Sequence, residues 1–237
     1  MSVFGKLKRA MSWILAFVFL IFSCGGCQNL KKESSQSGSQ SSESSSSSIG
    51  SSDLNKGVVL KYKNYEVSLD EYMCLLTDHL AMLFCETGVE INSEEKIRGL
   101  HNTSLKMAKE DLIFREKLQE LGKDLSEERK KTIQASVDES FYDRRFNEDR
   151  AKSLAITKKG LKEHKECVAR FRIMIDEGLK KIGEPCAFDI FDDDTTIDLD
   201  VLDSIDVYAQ AKVVSDIVKQ KKSLGQKCDD LNSLLAP

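Results

Sequence analysis

The chain has 237 residues, 35 basic against 39 acidic, with 41% hydrophobic residues, two prolines and seven cysteines. So few prolines and aromatics argue against a β-sandwich or barrel and for one mainly α-helical domain. Residues 1–23 hold three cations and no acid, so the remainder carries 32 basic against 39 acidic groups, a net of −7, which argues against nucleic acid as a partner.

Lys6, Lys8 and Arg9 precede an apolar run from Met11 to Phe22. That run is well short of the roughly 20 residues a helix needs to cross a bilayer, so residues 1–23 read as an export signal rather than a permanent span. Ile21-Phe22-Ser23-Cys24 resembles the lipobox of bacterial lipoproteins, with Phe22 bulkier than usual at its place. That resemblance implies a diacylglycerol on the Cys24 sulfur, cleavage before it, and an extracytoplasmic protein lipid-anchored to the cell membrane. Cys24-Gly25-Gly26-Cys27 also spells a C-x-x-C redox motif, but a thioether at Cys24 leaves no dithiol. An ordinary signal peptide cut nearby is the competing reading.

Residues 24–55 form the next segment, and 13 of residues 34–52 are serine. Such a sequence buries too little apolar surface to offset its ordering entropy, so it is expected to be a disordered tether spanning on the order of 30 Å. Five cysteines follow: Cys74, Cys85, Cys167, Cys186 and Cys228. An odd number cannot all pair, and their pairing stays open. Cys74 and Cys85 stand about 16 Å apart along one predicted helix, too far to bridge each other.

The folded part is expected over 56–224. Val58–Tyr62 and Tyr65–Val67 flank Lys63-Asn64 as two short strands and a tight turn. Ser68-Leu69-Asp70-Glu71 reads as a capping box opening a helix, on which Tyr72, Leu75, Leu76, His79, Leu80, Leu83 and Phe84 make one apolar face; Thr87-Gly88 ends it. His79 on that face reads as a packed residue. Ser93-Glu94-Glu95 starts a second helix that stops at Gly122. Leu125-Ser126-Glu127-Glu128 starts a third, through Ile133, Val137 and Phe141 to Asp149, whose polar side gathers Arg129, Lys130, Lys131, Arg144 and Arg145. The choice there is between a solvated face and an anion site, with the solvated face preferred. A fourth helix, Thr157 to Ile182, carries Leu161, His164, Val168, Phe171, Ile175 and Leu179 at nearly heptad spacing. His164 and Cys167 are three apart, but two ligands without partners are read as core rather than metal.

Residues 184–206 contain nine acids and no Lys or Arg. Asp192, Asp194, Thr196, Asp198, Asp200 and Asp203 fall at positions 1, 3, 5, 7, 9 and 12 of a calcium loop, yet Ile197 stands where the sharp turn requires glycine, and Asp203 is shorter than the bidentate Glu. An acidic connector capping the last helix is the preferred alternative. That helix is expected from Ser204 to Leu224, and residues 225–237 are expected to fray.

The hairpin with Asn64 in its turn, followed by Ser68-Leu69-Asp70-Glu71-Tyr72, resembles the opening of the extracytoplasmic foldases of the SurA and PrsA kind. Val59, Tyr62, Asn64, Val67, Ser68, Glu71 and Tyr72 occupy comparable places, with Tyr65 where the family has glycine. Leu105 to Gly122, then Leu125-Ser126-Glu127-Glu128, and Thr157 to Ile182 are similar to later helices of that family. The resemblance implies a chaperone domain. The inserted parvulin isomerase of such foldases has no room in the short stretch between Gly183 and Ser204, so prolyl isomerisation is not expected.

There is no phosphate-binding glycine loop, no H-E-x-x-H and no G-x-S-x-G, so neither an enzyme nor a cofactor is expected. Two functions follow. In the first, a membrane-held chaperone without catalytic activity grips unfolded exported chains on apolar surface, with Tyr72, Leu76, Leu80, Phe84, Phe141 and Phe171 as the nominated client-binding residues. In the second, an envelope or surface interaction lipoprotein docks one specific protein partner. An exposed contiguous apolar surface favours the first and a closed bundle the second.

Overall fold

The computed structural model describes residues 57–87, 93–142, 146–180 and 195–237. Among them the fold is mainly α, eight helices with a small three-stranded antiparallel sheet, as composition and periodicity imply. The export signal, Cys24 and the serine-rich segment lie outside these residues. No described helix is long and apolar enough to cross a membrane.

Strands β1 (Val58–Tyr62) and β2 (Tyr65–Ser68) form the expected hairpin, with Lys61 opposite Glu66 and Tyr62 opposite Tyr65. Lys63, rather than Asn64, takes the left-handed backbone (φ 52°) of the tight turn. A third strand that periodicity does not suggest, β3 (Thr195–Ile197), pairs with the other edge of β1, giving the order β2-β1-β3.

Helix α1 (Leu69–Thr87) opens directly from β2, and the Glu71 N–H donates to Ser68 Oγ at 3.2 Å. Only half of the capping box forms, because the Glu71 carboxylate turns to Arg115 instead. The helix is buried nearly all round: Met73, Cys74, Thr77 and Ala81, off the predicted stripe, are buried with Tyr72, Leu75, Leu76 and Leu80. Such a helix belongs at the centre of a bundle. Around it pack α2 (Glu94–Glu120), α5 (Lys158–Asp176), α7 (Val207–Ser223) and α8 (Leu231–Leu235). Ser93 caps α2, and Gly122 (φ 64°) ends it, with the Lys123 N–H returning to Leu118 O.

Helix α3 (Glu127–Tyr142) ends short of the expected Asp149. A separate turn, α4 (Glu148–Ser153), starts on its own cap, Asn147. Helix α5 starts at its Thr157 cap and stops at Asp176 rather than Ile182, because Gly178 (φ 70°) turns the chain. The last long helix expected over Ser204–Leu224 is α7, begun by Asp206; ahead of it the acidic connector holds a short helix that periodicity does not suggest, α6 (Leu199–Asp203), begun by Asp198.

The expected frayed tail is a correction. Residues 231–235 form α8, closed by an Asp230–Ser233 capping box, with Leu231, Leu234 and Leu235 buried in the main core beside Leu76, Leu80, Phe84, Leu154, Val214 and Ile217. The Asn147 N–H donates to Leu235 O at 2.7 Å and Arg150 to Ala236 O, so the C-terminal segment also holds α4 in place.

Candidate functional site

Four of the nominated client-binding residues are core. Tyr72, Leu76 and Leu80 are sealed from solvent and Phe84 nearly so; the Tyr72 hydroxyl is taken up by His101 Nδ1 at 3.0 Å. Phe141 and Phe171 are half-buried and turned edge-on to Phe146 and Phe114. The expected apolar client surface is therefore not built by these residues: a stripe at helical spacing seats α1 in its own bundle. The large apolar side chains that are exposed among the described residues, Leu121, Leu199, Tyr208 and Leu224, occur singly, at the end of α2, in α6, in the first turn of α7 and just past its end.

The calcium pattern is also corrected. Asp192 and Asp194 lie outside the described residues. Positions 4 to 6 of the supposed loop are β3, and positions 8 to 12 are α6, so the backbone that should wrap an ion is strand and helix. Asp198 accepts from the Val201 N–H at 3.1 Å as a helix cap; Asp200 and Asp203 are exposed on α6. His164 and Cys167 serve separate contacts, as the sequence reading prefers.

Cys167 does lie with Glu71 and Asp111, their ligand atoms within 4.8 Å of one another. Both carboxylates there are already engaged by guanidinium groups. Arg115 Nη2 donates to both Glu71 oxygens at 2.6 and 2.7 Å and Arg115 Nε to Asp111 Oδ2 at 2.6 Å, while Arg170 reaches Asp111 Oδ1 at 3.4 Å. Burial pushes Glu71 up to about 7 against the pull of Arg115, and pushes the Cys167 thiol well up, which keeps it protonated. This is a buried ion-pair network joining α1, α2 and α5.

A groove of about 320 Å³ lies between α3 and α5. Arg129, Thr132, Ile133 and Ser136 come from α3; His164, Lys165, Val168, Ala169 and Arg172 from α5; Asn232 from α8. Spacings of three, four and seven put each set on one helix face. Arg129, Lys165 and Arg172 bring three positive charges together in a chain that is acidic overall. Lys165 Nζ donates to Ser136 Oγ across the groove at 3.2 Å, and burial lowers its pKa.

His164 is buried, 6% exposed, with its Nε2 3.5 Å from Asp78 Oδ2. Burial works to raise the Asp78 carboxyl, but His164 and the Leu231 N–H, which donates to Oδ1 at 2.7 Å, hold it below the usual carboxylate range. His164 lines the groove, and its Nδ1, shut off from solvent, has no hydrogen-bond partner. A buried polar atom without a partner costs about 1–3 kcal/mol, which a ligand polar group recovers. Arg129 stands out on α3 in the sequence, but its meeting with α5 does not, because the two helices meet through residues remote along the chain, Ile133 against Ala169 and Ser136 against Lys165.

No family model, no curated protein and no solved structure matches the chain.

Proposed function

We propose that the chain is an extracytoplasmic interaction lipoprotein, anchored through Cys24, whose helical domain docks an acidic segment of a protein partner in the α3–α5 groove, with no turnover chemistry. The observation that carries this is the convergence of Arg129, Lys165 and Arg172 on a buried His164 with one unpartnered nitrogen. A carboxylate side chain suits the three cations, which donate charge-assisted hydrogen bonds to it. The holdase implied by the foldase resemblance has less support, since four of its six nominated residues are core.

The test is fluorescence anisotropy of a labelled Asp/Glu-rich peptide titrated with residues 55–237. Saturable binding is expected, weakened at least tenfold by Arg172→Glu and weakened further by 0.5 M salt, which shortens the Debye length to about 4 Å. Equal binding by the charge-reversed variant removes the groove from the proposal. Suppression of aggregation of a denatured client at equimolar ratio restores the holdase. Mass spectrometry of the mature N-terminus tests the anchor, with a diacylglyceryl-modified Cys24 as its first residue.

A further inference from the structure

We propose that Cys85 and Cys228 form a disulfide, joining the last turns of α1 to the segment that leads into α8. Their sulfurs stand 3.0 Å apart although the two residues are 143 positions apart in sequence. The S–S bond is about 2.05 Å, so closure asks each sulfur to move about half an ångström. Nothing else has to move far, because the backbones on both sides are already tied. Lys222 Nζ donates to Phe84 O at 3.1 Å and to Cys85 O at 2.9 Å, fastening the end of α1 to the end of α7. One helical stretch earlier, Asp78 Oδ1 accepts from the Leu231 N–H at 2.7 Å, fastening α1 to the start of α8. Cys228 lies between these two ties.

The other cysteines separate cleanly from this pair. Cys74 and Cys167 are wholly buried, one in the main core and the other against the hairpin. Among the described residues Cys85 and Cys228 are the one pair of sulfurs in contact; Cys186 lies outside them. Cys85 is partly exposed and Cys228 almost fully buried, which sets the order of events. The oxidant is a protein dithiol–disulfide oxidoreductase, or a small disulfide such as oxidised glutathione. The Cys85 thiolate attacks it, forming a mixed disulfide and releasing one thiol of the oxidant. The Cys228 thiolate then attacks the Cys85 sulfur, forming the internal bond and releasing the second thiol. Two protein thiols become one disulfide, and the oxidant's disulfide is reduced to two thiols. Burial, then the neighbouring Cys228, push the Cys85 thiol up to about 12, so the thiolate is scarce and the first step is slow without an oxidoreductase.

The bond makes the C-terminal segment a staple. This segment supplies Leu231, Leu234 and Leu235 to the core, Asn232 to the groove and the Leu231 N–H to Asp78. Formation of the bond in the cell rests on the export reading, since disulfides persist in oxidising compartments; the pairing itself does not.

The full chain is purified in mild detergent, held native with oxidised and reduced glutathione, alkylated and digested. The expected product is a Cys85–Cys228 linked peptide two hydrogens lighter than the sum of its parts, retained in Cys74→Ser and lost in Cys85→Ser, where Cys228 alkylates. Complete alkylation of both cysteines after equilibration overturns the proposal, as does linkage of either one to Cys186. The same digest is then made from membranes extracted under acid quench. A linked peptide there supports both readings. A bond that forms with glutathione but is absent from cells upholds the pairing and counts against export.

Discussion

Gly160 sits where α5 crosses α1, and it tests that crossing. Replacing glycine by alanine inside a helix ordinarily gains about 0.5–1 kcal/mol. Here the new Cβ stands 2.3 Å from the Asp70 carbonyl oxygen, 2.6 Å from its carbon and 3.1 Å from its Cβ. Two of those atoms are main chain of α1's first turn, so no side chain can swing away. Restoring ordinary contact at 3.4 Å needs a separation of about 1 Å between the helices. Overpacking of this kind costs about 1–3 kcal/mol, and the shift also pulls Thr157 Oγ1 from Asp70 Oδ1, now at 2.7 Å. A net loss of about 2 kcal/mol lowers Tm by about 4–8 °C in a domain of this size. Gly99 in α2 is the control: nothing lies within 4 Å of its Cβ, so Gly99→Ala raises Tm by about 1–3 °C. The assay is thermal unfolding of residues 55–237 by circular dichroism. A Gly160→Ala protein as stable as the parent, with Gly99→Ala behaving as expected, refutes the close crossing.

Three further outcomes follow from buried groups. Arg115→Met leaves Glu71, 1% exposed, without its cation and Asp111 with Arg170 alone at 3.4 Å, and costs about 3–5 kcal/mol at pH 8; because Glu71 takes up a proton below about 7, urea melts at pH 5.5 show a smaller loss. His79 is held neutral between Ser104 Oγ and Met107 Sδ, each 2.8 Å away, and burial lowers its pKa to about 4. The unfolded chain therefore binds that proton first, and the His79 contribution, full above pH 6.5, falls by about 3 kcal/mol as pH drops towards 4. Glu71 pushes the opposite way over much of this range, so the check is the difference between parent and His79→Gln melts, which narrows as pH falls from 7 to 4. Leu234→Ala empties a fully buried site in the main core and costs about 2–5 kcal/mol, measured by urea unfolding; a loss under about 0.5 kcal/mol means that α8 is not part of the core.

The hairpin and the starts of α1, α2, α3 and α5 are legible because each is written locally, in a turn between two short apolar runs or a Ser or Thr before a periodic stretch. The apolar stripe of α1 is legible as well, but not what it faces. A stripe against one's own bundle and a stripe against a client have the same period, and the small or polar residues on the opposite side, Cys74, Thr77 and Ala81, hide a helix surrounded on nearly all sides. Aspartate at ligand spacing is ambiguous because capping uses the same residue: Asp198 begins the short helix α6, and Asp206 just beyond begins α7. Strand β3 is very short and exists because β1 offers it an edge. Helix α8 is too short to show a period, although Asp230 and Ser233 carry its capping signal.

The groove depends on the same contacts that fix the bundle. Gly160 lets the start of α5 close on α1, and one turn later that approach sets His164 beside Asp78. Asp78 is held in turn by the first N–H of α8, which lies in place because Leu234 and Leu235 are buried. A change at the C-terminal end of the chain is thus expected to loosen a groove built mostly from α3 and α5, without touching its cations. Leu231→Pro removes the N–H that bonds Asp78 Oδ1 together with a core side chain, although proline suits the first turn of a helix; Leu231→Ala, which loses the side chain and keeps the N–H, is the reference against which it is read. With the bundle intact, the proline variant binds the acidic peptide more weakly than Leu231→Ala, while its Arg172→Glu derivative loses the same increment as before. Binding equal to Leu231→Ala breaks the chain of contacts at Asp78 and leaves His164 positioned by packing alone.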